Sequence, residues 1–237
     1  MRRLRAGATR IVYMSVSELS ASTQNYLKVV WGLGEWSQDP ITARRIAARM
    51  GLRLSTVSEA VSKLSAQGLL DHTPYGDVQL TDRGRGFALQ MVRRHRLIES
   101  FLVETLGYTW DQVHDEAESL EHAVSDFMIE RVDDLLGHPR RDPHGDPIPT
   151  AAGDIEMPRA QRLSDLTPPL RVVIERISDE DPALLQHFSD NGMVIGTLLR
   201  IEPGAPFTDS VMVHVGDAEA VALGATATDA LYVSEAK

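Results

Sequence analysis

Residues 42–70 read TARRIAARMGLRLSTVSEAVSKLSAQGLL, and this stretch decides the fold. Thr42 is a natural N-cap for a short helix over 42–50, because its hydroxyl can accept an otherwise unpaired backbone N–H. Gly51 suits the tight turn that follows. A second helix is expected over 55–67, with Val57, Val61 and Leu64 on its inner side and Gly68 ending it. The small Ala47 and Gly51 let two short helices cross closely at a steep angle. The outer side of the second helix then carries Arg53, Ser55, Thr56, Ser58, Glu59 and Ser62, with Arg44 on the first helix. Short polar side chains on such a helix can approach phosphates and base edges, so double-stranded DNA is the expected partner.

The flanks agree. Residues 20–36, SASTQNYLKVVWGLGEW, form a helix capped by Ser20 or Ser22, with Tyr26, Leu27, Val30, Trp31 and Leu33 at helical spacing. Asp39-Pro40 breaks the pattern. Beyond the helix pair, LLDHTPYGDVQLTDRG gives two short extended runs around a Pro-Tyr-Gly-Asp turn, a hairpin with Tyr75 at its tip. Helix, helix-turn-helix and hairpin make a winged helix-turn-helix.

Charge is distributed to match. The 237 residues carry a net charge of −10, which by itself argues against a polyanionic partner. Residues 1–96, however, hold 15 Lys and Arg against 7 Asp and Glu, a net of +8, and the remainder a net of −18. A basic head on an acidic body is the asymmetry of an anion-binding module. The opening MRRLRAGATRIVYM reads as a basic extension ahead of a start at Met14, or as a basic arm; it lacks the apolar core of a secretory signal. With no cysteine, disulfides and thiolate ligation are excluded, which fits a cytoplasmic setting. No apolar run reaches the roughly 18 residues a membrane span needs.

Two longer helices are expected next. Residues 86–106 place Phe87, Met91, His95, Ile98 and Leu102 on one stripe, and 112–136 place Val113, Ala117, Leu120, Val124, Phe127 and Val132 on another. Their surplus apolar surface predicts a homodimer. Residues 137–157 are rich in Pro, Gly and Asp and read as a linker or an irregular loop. Short strand-like runs over 170–179, 194–204, 209–217 and 219–236 then predict a small β-barrel.

The chemistry lies in the helices. His114, Glu118, Glu121 and His122 fall at i, i+4, i+7 and i+8, within a limited arc of one helix, while His95 and Glu99 are i, i+4 on the helix before. Carboxylates crowded near an apolar stripe repel one another and raise each other's pKa. A divalent cation removes that repulsion. Oxygen and nitrogen donors without sulfur suit Mn²⁺ or Fe²⁺, with Co²⁺ or Zn²⁺ as surrogates in vitro. The sequence lacks H-E-x-x-H, G-x-S-x-G, a P-loop and G-x-G-x-x-G, so no enzyme and no small-molecule substrate is expected. A metal-storing or hydrolytic protein is the alternative from another class.

MVRRHRLIESFL (91–102), VHDEAESLEHAVSD (113–126) and PHGDPIP (143–149), behind a winged helix-turn-helix, resemble the diphtheria-toxin-repressor family of metal-dependent transcriptional regulators. The resemblance implies a mainly α fold with a small β domain. It divides the chain into a basic extension (1–14), a winged helix-turn-helix domain (15–86) and a helical metal-binding and dimerisation domain (87–150). A linker (151–158) and an SH3-like, FeoA-type β-barrel (159–237) follow. It implies one metal site from Asn25, Glu118, Glu121 and His122, and a second from His95, Glu99 and His114 completed from the C-terminal domain. Asp181 matches a family carboxylate there, but Leu184 stands where an amide ligand is expected, leaving Gln186 or His187 as alternatives. Iron-responsive members carry cysteine at the position of Glu118 and methionine at that of Asn25, so this chain falls on the manganese-responsive branch, with an iron(II) repressor as the alternative. The implied role is repression of manganese-transport genes from operator DNA.

Overall fold

The computed structural model describes residues 15–73 and 76–236. The opening extension and Tyr75 lie outside the described residues. The chain divides into two compact units, with the boundary between Met91 and Val92, inside a long helix.

In the first unit, α1 (Ala21–Glu35) is capped by Ser20, whose hydroxyl accepts from Thr23 N–H. α2 (Ala43–Met50) is capped by Thr42 in the same way and ends at Gly51. That glycine has φ 64°, a left-handed conformation that residues with a Cβ rarely adopt. α3 spans Leu54–Ala66. The wing pairs β1 (Leu70–His72) with β2 (Val78–Leu80) antiparallel, Asp71 opposite Gln79. Tyr26, Leu27, Val30, Ile46, Val57, Val61, Leu64, Leu70 and Val78 form the core, closed by Phe87 and Met91 from the start of α4 (Asp82–Leu106). At 25 residues, α4 starts earlier than periodicity suggests because Asp82 lies in its first turn and the Thr81 hydroxyl accepts from Gly84 N–H.

The second unit begins with the rest of α4. The single helix expected over 112–136 is two: α5 (Val113–Leu120) and α6 (Asp126–Leu135). The break has a local cause. Ser125 takes an extended backbone and its hydroxyl accepts from Met128 N–H, starting a new helix. Leu97, Ile98, Leu102, Val113, Ala117, Ile129, Val132 and Ile148 pack together. Phe127, expected on the buried stripe, is instead 69% exposed, with Leu106, Met128 and Leu135 also exposed.

The C-terminal part is a six-stranded antiparallel sheet in the order β3-β8-β4-β5-β6-β7. Its strands are β3 (Gln161–Arg162), β4 (Leu170–Ile177), β5 (Leu198–Pro203), β6 (Val211–Val215), β7 (Val221–Leu223) and β8 (Leu231–Glu235). Val172, Ile174, Leu199, Ile201, Val213 and Val233 fill its core with Leu185 and Phe188 of α7 (Pro182–Asp190). A second short helix, α8 (Ala225–Ala230), precedes β8.

Candidate metal centre and DNA-facing helix

His95 is the pivot of the metal-competent side chains. It lies on α4, 7% exposed, with a carboxylate at each ring nitrogen. Its Nδ1 is 2.7 Å from Glu121 Oε2, and its Nε2 is 3.0 Å from Glu99 Oε1. Glu121 closes α5 and is fully buried, so its charge has no access to water. Donor atoms of His95, Glu118 and Glu121 come within 4.8 Å of one another, a spacing one ion could bridge. His122 Nε2 stands 3.5 Å from Glu121 Oε1. Asn25 stands on α1 in the first unit, its Oδ1 buried without a hydrogen-bond partner.

A second cluster shares His95. Glu99, 1% exposed, faces His114 Nδ1 at 3.5 Å, and the same nitrogen is 2.9 Å from Asp179 Oδ2. His95, Glu99, His114 and Asp179 again offer donors within 4.8 Å. The β domain therefore supplies a carboxylate, but not the one expected. Asp181 Oδ1 accepts from Ala183 N–H at 2.9 Å and Leu184 N–H at 3.2 Å, capping α7. Its Oδ1 is engaged in the cap, and among the described residues Asp181 is in none of the groups whose donor atoms come together. Asp179, two residues earlier and just past β4, reaches His114. The Asp-Pro pair 181–182 is itself a helix-start signature that distinguishes the two acids.

Glu99 also belongs to a third group, with Asp142 and His144. Residues 137–157 read as a linker or an irregular loop, yet Asp142, His144 and Asp146 are buried. The loop is held in place from several directions. Asp142 Oδ1 accepts from the N–H of both His144 and Asp146. The Asp146 carboxylate accepts from Arg176 Nε of β4 at 2.8 and 2.9 Å and lies 3.4 Å from Arg96 Nη2 of α4. Arg96 also donates to Pro147 O at 2.7 Å, and Ile177 N–H to His144 O. At Gly145, φ is 91° and a Cβ would fall 2.2 Å from Glu175 O, so no larger residue fits between loop and strand. Arg176 thereby fixes the end of β4, three residues before Asp179.

The electrostatics fit a cation. Glu99 Oε1, His114 Nδ1 and His144 Nδ1 are all buried and lack a hydrogen bond of proper direction despite their close neighbours. His144 Nε2 is 2.8 Å from Trp110 O, the arrangement in which N–H donation leaves Nδ1 as a lone pair toward Glu99, 4.0 Å away. A ligating imidazole commonly has its other nitrogen fixed in this manner. Asp179 and then Glu99 hold the His114 imidazolium, pushing its pKa up to about 10. Burial pushes the Glu99 carboxyl up, but His95 and His114 outweigh it and the net shift is downward. Burial, then Asp146 and Glu99, push Asp142 up to about 8. Without a metal, protons hold these groups together; a divalent ion could replace them.

On the first unit, Arg44, Arg53, Ser55, Thr56, Ser58, Glu59 and Ser62 are all exposed. Residues 51–56, GLRLST, form an unbroken exposed run. Leu52 and Leu54, absent from the expected surface, are 42% and 51% exposed within it.

Comparison with known proteins matches each part. Residues 18–78 match the N-terminal DNA binding domain of the iron dependent repressors, residues 81–150 their metal binding and dimerisation domain, and residues 161–235 the FeoA domain. The iron-dependent repressor IdeR of Mycobacterium tuberculosis is 32% identical over 214 residues, covering 84% of this chain and 92% of the relative. The diphtheria toxin repressor of Corynebacterium glutamicum is 33% identical over 199 residues, 78% of this chain and 86% of the relative. A solved manganese-dependent transcriptional repressor in complex with manganese is 47% identical with a TM-score of 0.86, covering 90% of this chain and 100% of that one. No helix among the described residues is long and apolar enough to cross a membrane. With a DNA-binding, a dimerisation and a FeoA domain in order, this chain belongs to the diphtheria-toxin-repressor family of metal-dependent transcriptional repressors, DNA-binding regulators and not enzymes.

Proposed function

We propose that this chain is a manganese(II)-dependent repressor that acts in the cytoplasm as a homodimer on operator DNA and controls manganese-transport genes. One observation carries the choice of metal. Among the described residues, the His and carboxylate donors grouped around His95 are Glu118 and Glu121 on one side, and Glu99, His114 and Asp179 on the other. Hard carboxylate donors suit Mn²⁺, and a soft thiolate is absent from the whole chain. The likeness to a manganese-dependent repressor supports the same reading.

Glu118, Glu121, His122 and His95 would hold one ion. His95, Glu99, His114 and Asp179, with Asp142 and His144 adjoining, would hold another. Asn25 is assigned a metal-binding role on its buried, unpartnered Oδ1. When bound, the ion supplies positive charge that offsets the clustered carboxylates. The exposed apolar side chains of α4 and α6, Leu106, Phe127, Met128 and Leu135, would be covered by the same residues of a second copy. In such a dimer the two α3 helices would read successive major grooves about 34 Å apart. Switching a 1:99 population to 99:1 takes about 5.5 kcal/mol of differential binding, which two ions per chain can provide.

The test is to select duplexes from a randomised library with Mn²⁺ and measure their binding with Mn²⁺, with anaerobic Fe²⁺ and with chelator. Activation by Mn²⁺ at lower free concentration than Fe²⁺, abolished by chelator, is expected. Binding that ignores chelator would sink the reading. Activation by Fe²⁺ alone would favour the iron(II) repressor, the reading that the 32% identity to IdeR keeps alive.

A further inference from the structure

The exposed run at residues 51–56 departs twice from what a solvent-facing helix start requires. α1 and α2 begin at Ser20 and Thr42, whose hydroxyls cap them, but α3 begins at Arg53, whose side chain makes no capping bond. Leu52 and Leu54 flank that arginine and stand 42% and 51% exposed, while Val57, Val61 and Leu64 take the core positions of the same helix. Neither leucine belongs to the first unit's apolar cluster. Local rules broken together at one place mark a surface shaped by function more than by stability.

That place lies within the matched DNA-binding domain, on the exposed side of the helix whose first residues meet base edges in this fold. Major-groove base edges are otherwise a pattern of polar donors and acceptors. Their one apolar handle is the C5-methyl of thymine. A leucine carried into the groove therefore either covers a methyl or strands polar edges against hydrocarbon.

We propose that Leu54 reads a thymine by packing on its C5-methyl, giving this protein an apolar specificity contact beside the polar and charged ones, with Leu52 flanking it. The inference rests on the repressor reading above. Arg53, between the two leucines, anchors to phosphate or to a guanine edge and sets the depth at which Leu54 enters. The partner is duplex DNA carrying thymine at one fixed position in each half-site.

The experiment uses the full-length Mn²⁺-loaded protein. A duplex selected from a randomised library is resynthesised with each thymine replaced singly by deoxyuridine, which removes one methyl and leaves the polar edges unchanged. Burying one methyl predicts about fourfold weaker binding per half-site at one thymine position. Leu54→Ala, a good helix former at an exposed site, should bind the thymine duplex weaker by the same factor and no longer distinguish thymine from uracil there. Leu52→Ala should keep that distinction. A wild-type protein indifferent to every uracil replacement, or a Leu54→Ala variant that still discriminates, would overturn the proposal while leaving a metal-dependent repressor intact. Failure to select any duplex with Mn²⁺ would instead sink the repressor reading and this inference with it.

Discussion

The two clusters that share His95 are built in opposite ways. The first takes Glu118 and Glu121 from a single helical turn and needs only α4 packed against α5. The second draws Glu99, His114 and Asp179 from α4, α5 and the end of β4, with Asp142 and His144 from a loop between them. A local cluster forms wherever its helices form. A dispersed one exists only when the β domain is docked, so any ion it held would depend on that docking. The first should therefore set whether DNA is bound, and the second how tightly the metal-bound state is held.

The largest effect should come from the residue common to both. His95→Ala removes a donor from each cluster and leaves Glu99 and Glu121 buried without their shared imidazole; both Mn²⁺ binding events, read by calorimetry, and with them Mn²⁺-dependent DNA binding, read by fluorescence anisotropy, should be lost. Glu118→Ala should abolish Mn²⁺-dependent operator binding while sedimentation still shows a dimer; wild-type affinity in this variant would break the comparison. Asp179→Ala should do less, weakening one of two Mn²⁺ binding events about 10- to 100-fold in calorimetry and leaving the other unchanged. Equal losses at both events would mean that the clusters act as one.

Acidity sharpens the same contrast. His114 is held protonated up to about pH 10 by Asp179 and Glu99, so an ion entering the second cluster must displace that proton at any ordinary pH. Its affinity should fall about tenfold for each unit of pH lost below 10, and more steeply below about 8, where Asp142 also takes up a proton. Proton release on Mn²⁺ binding, measured in buffers of differing ionisation enthalpy, checks the count. The smallest effect concerns selectivity: Glu118→Cys should move the preference toward Fe²⁺ or Co²⁺ with little loss of total metal bound, and an unchanged metal profile would remove Glu118 as a selectivity determinant.

How much of this was legible in the sequence follows from the same contrast. Thr42, Gly51 and the Val57–Val61–Leu64 stripe state the helix-turn-helix in local terms, and helical spacing states Glu118/Glu121 as part of the first cluster and His95/Glu99 as part of the second, but not that His95 joins the two. Apolar periodicity continues across the break at Ser125 and hides it, though a serine followed by an aspartate is a cap signal. His144 and Asp142 are hidden because a Pro-Gly-Asp segment reads as a linker; the Arg96–Asp146–Arg176 bridge and the bonds to Ile177 and Trp110 that hold it buried come from residues 30 or more positions away. The resemblance points to Asp181 and not to Asp179 because it aligns acids without saying which one caps a helix.

The most direct test is anomalous diffraction near the manganese edge from crystals grown with Mn²⁺. Peaks are expected on the His95 side chain's two flanks, one among Glu118, Glu121 and His122 and one among Glu99, His114 and Asp179. Density showing those carboxylates turned apart, with no peak between them, would contradict this.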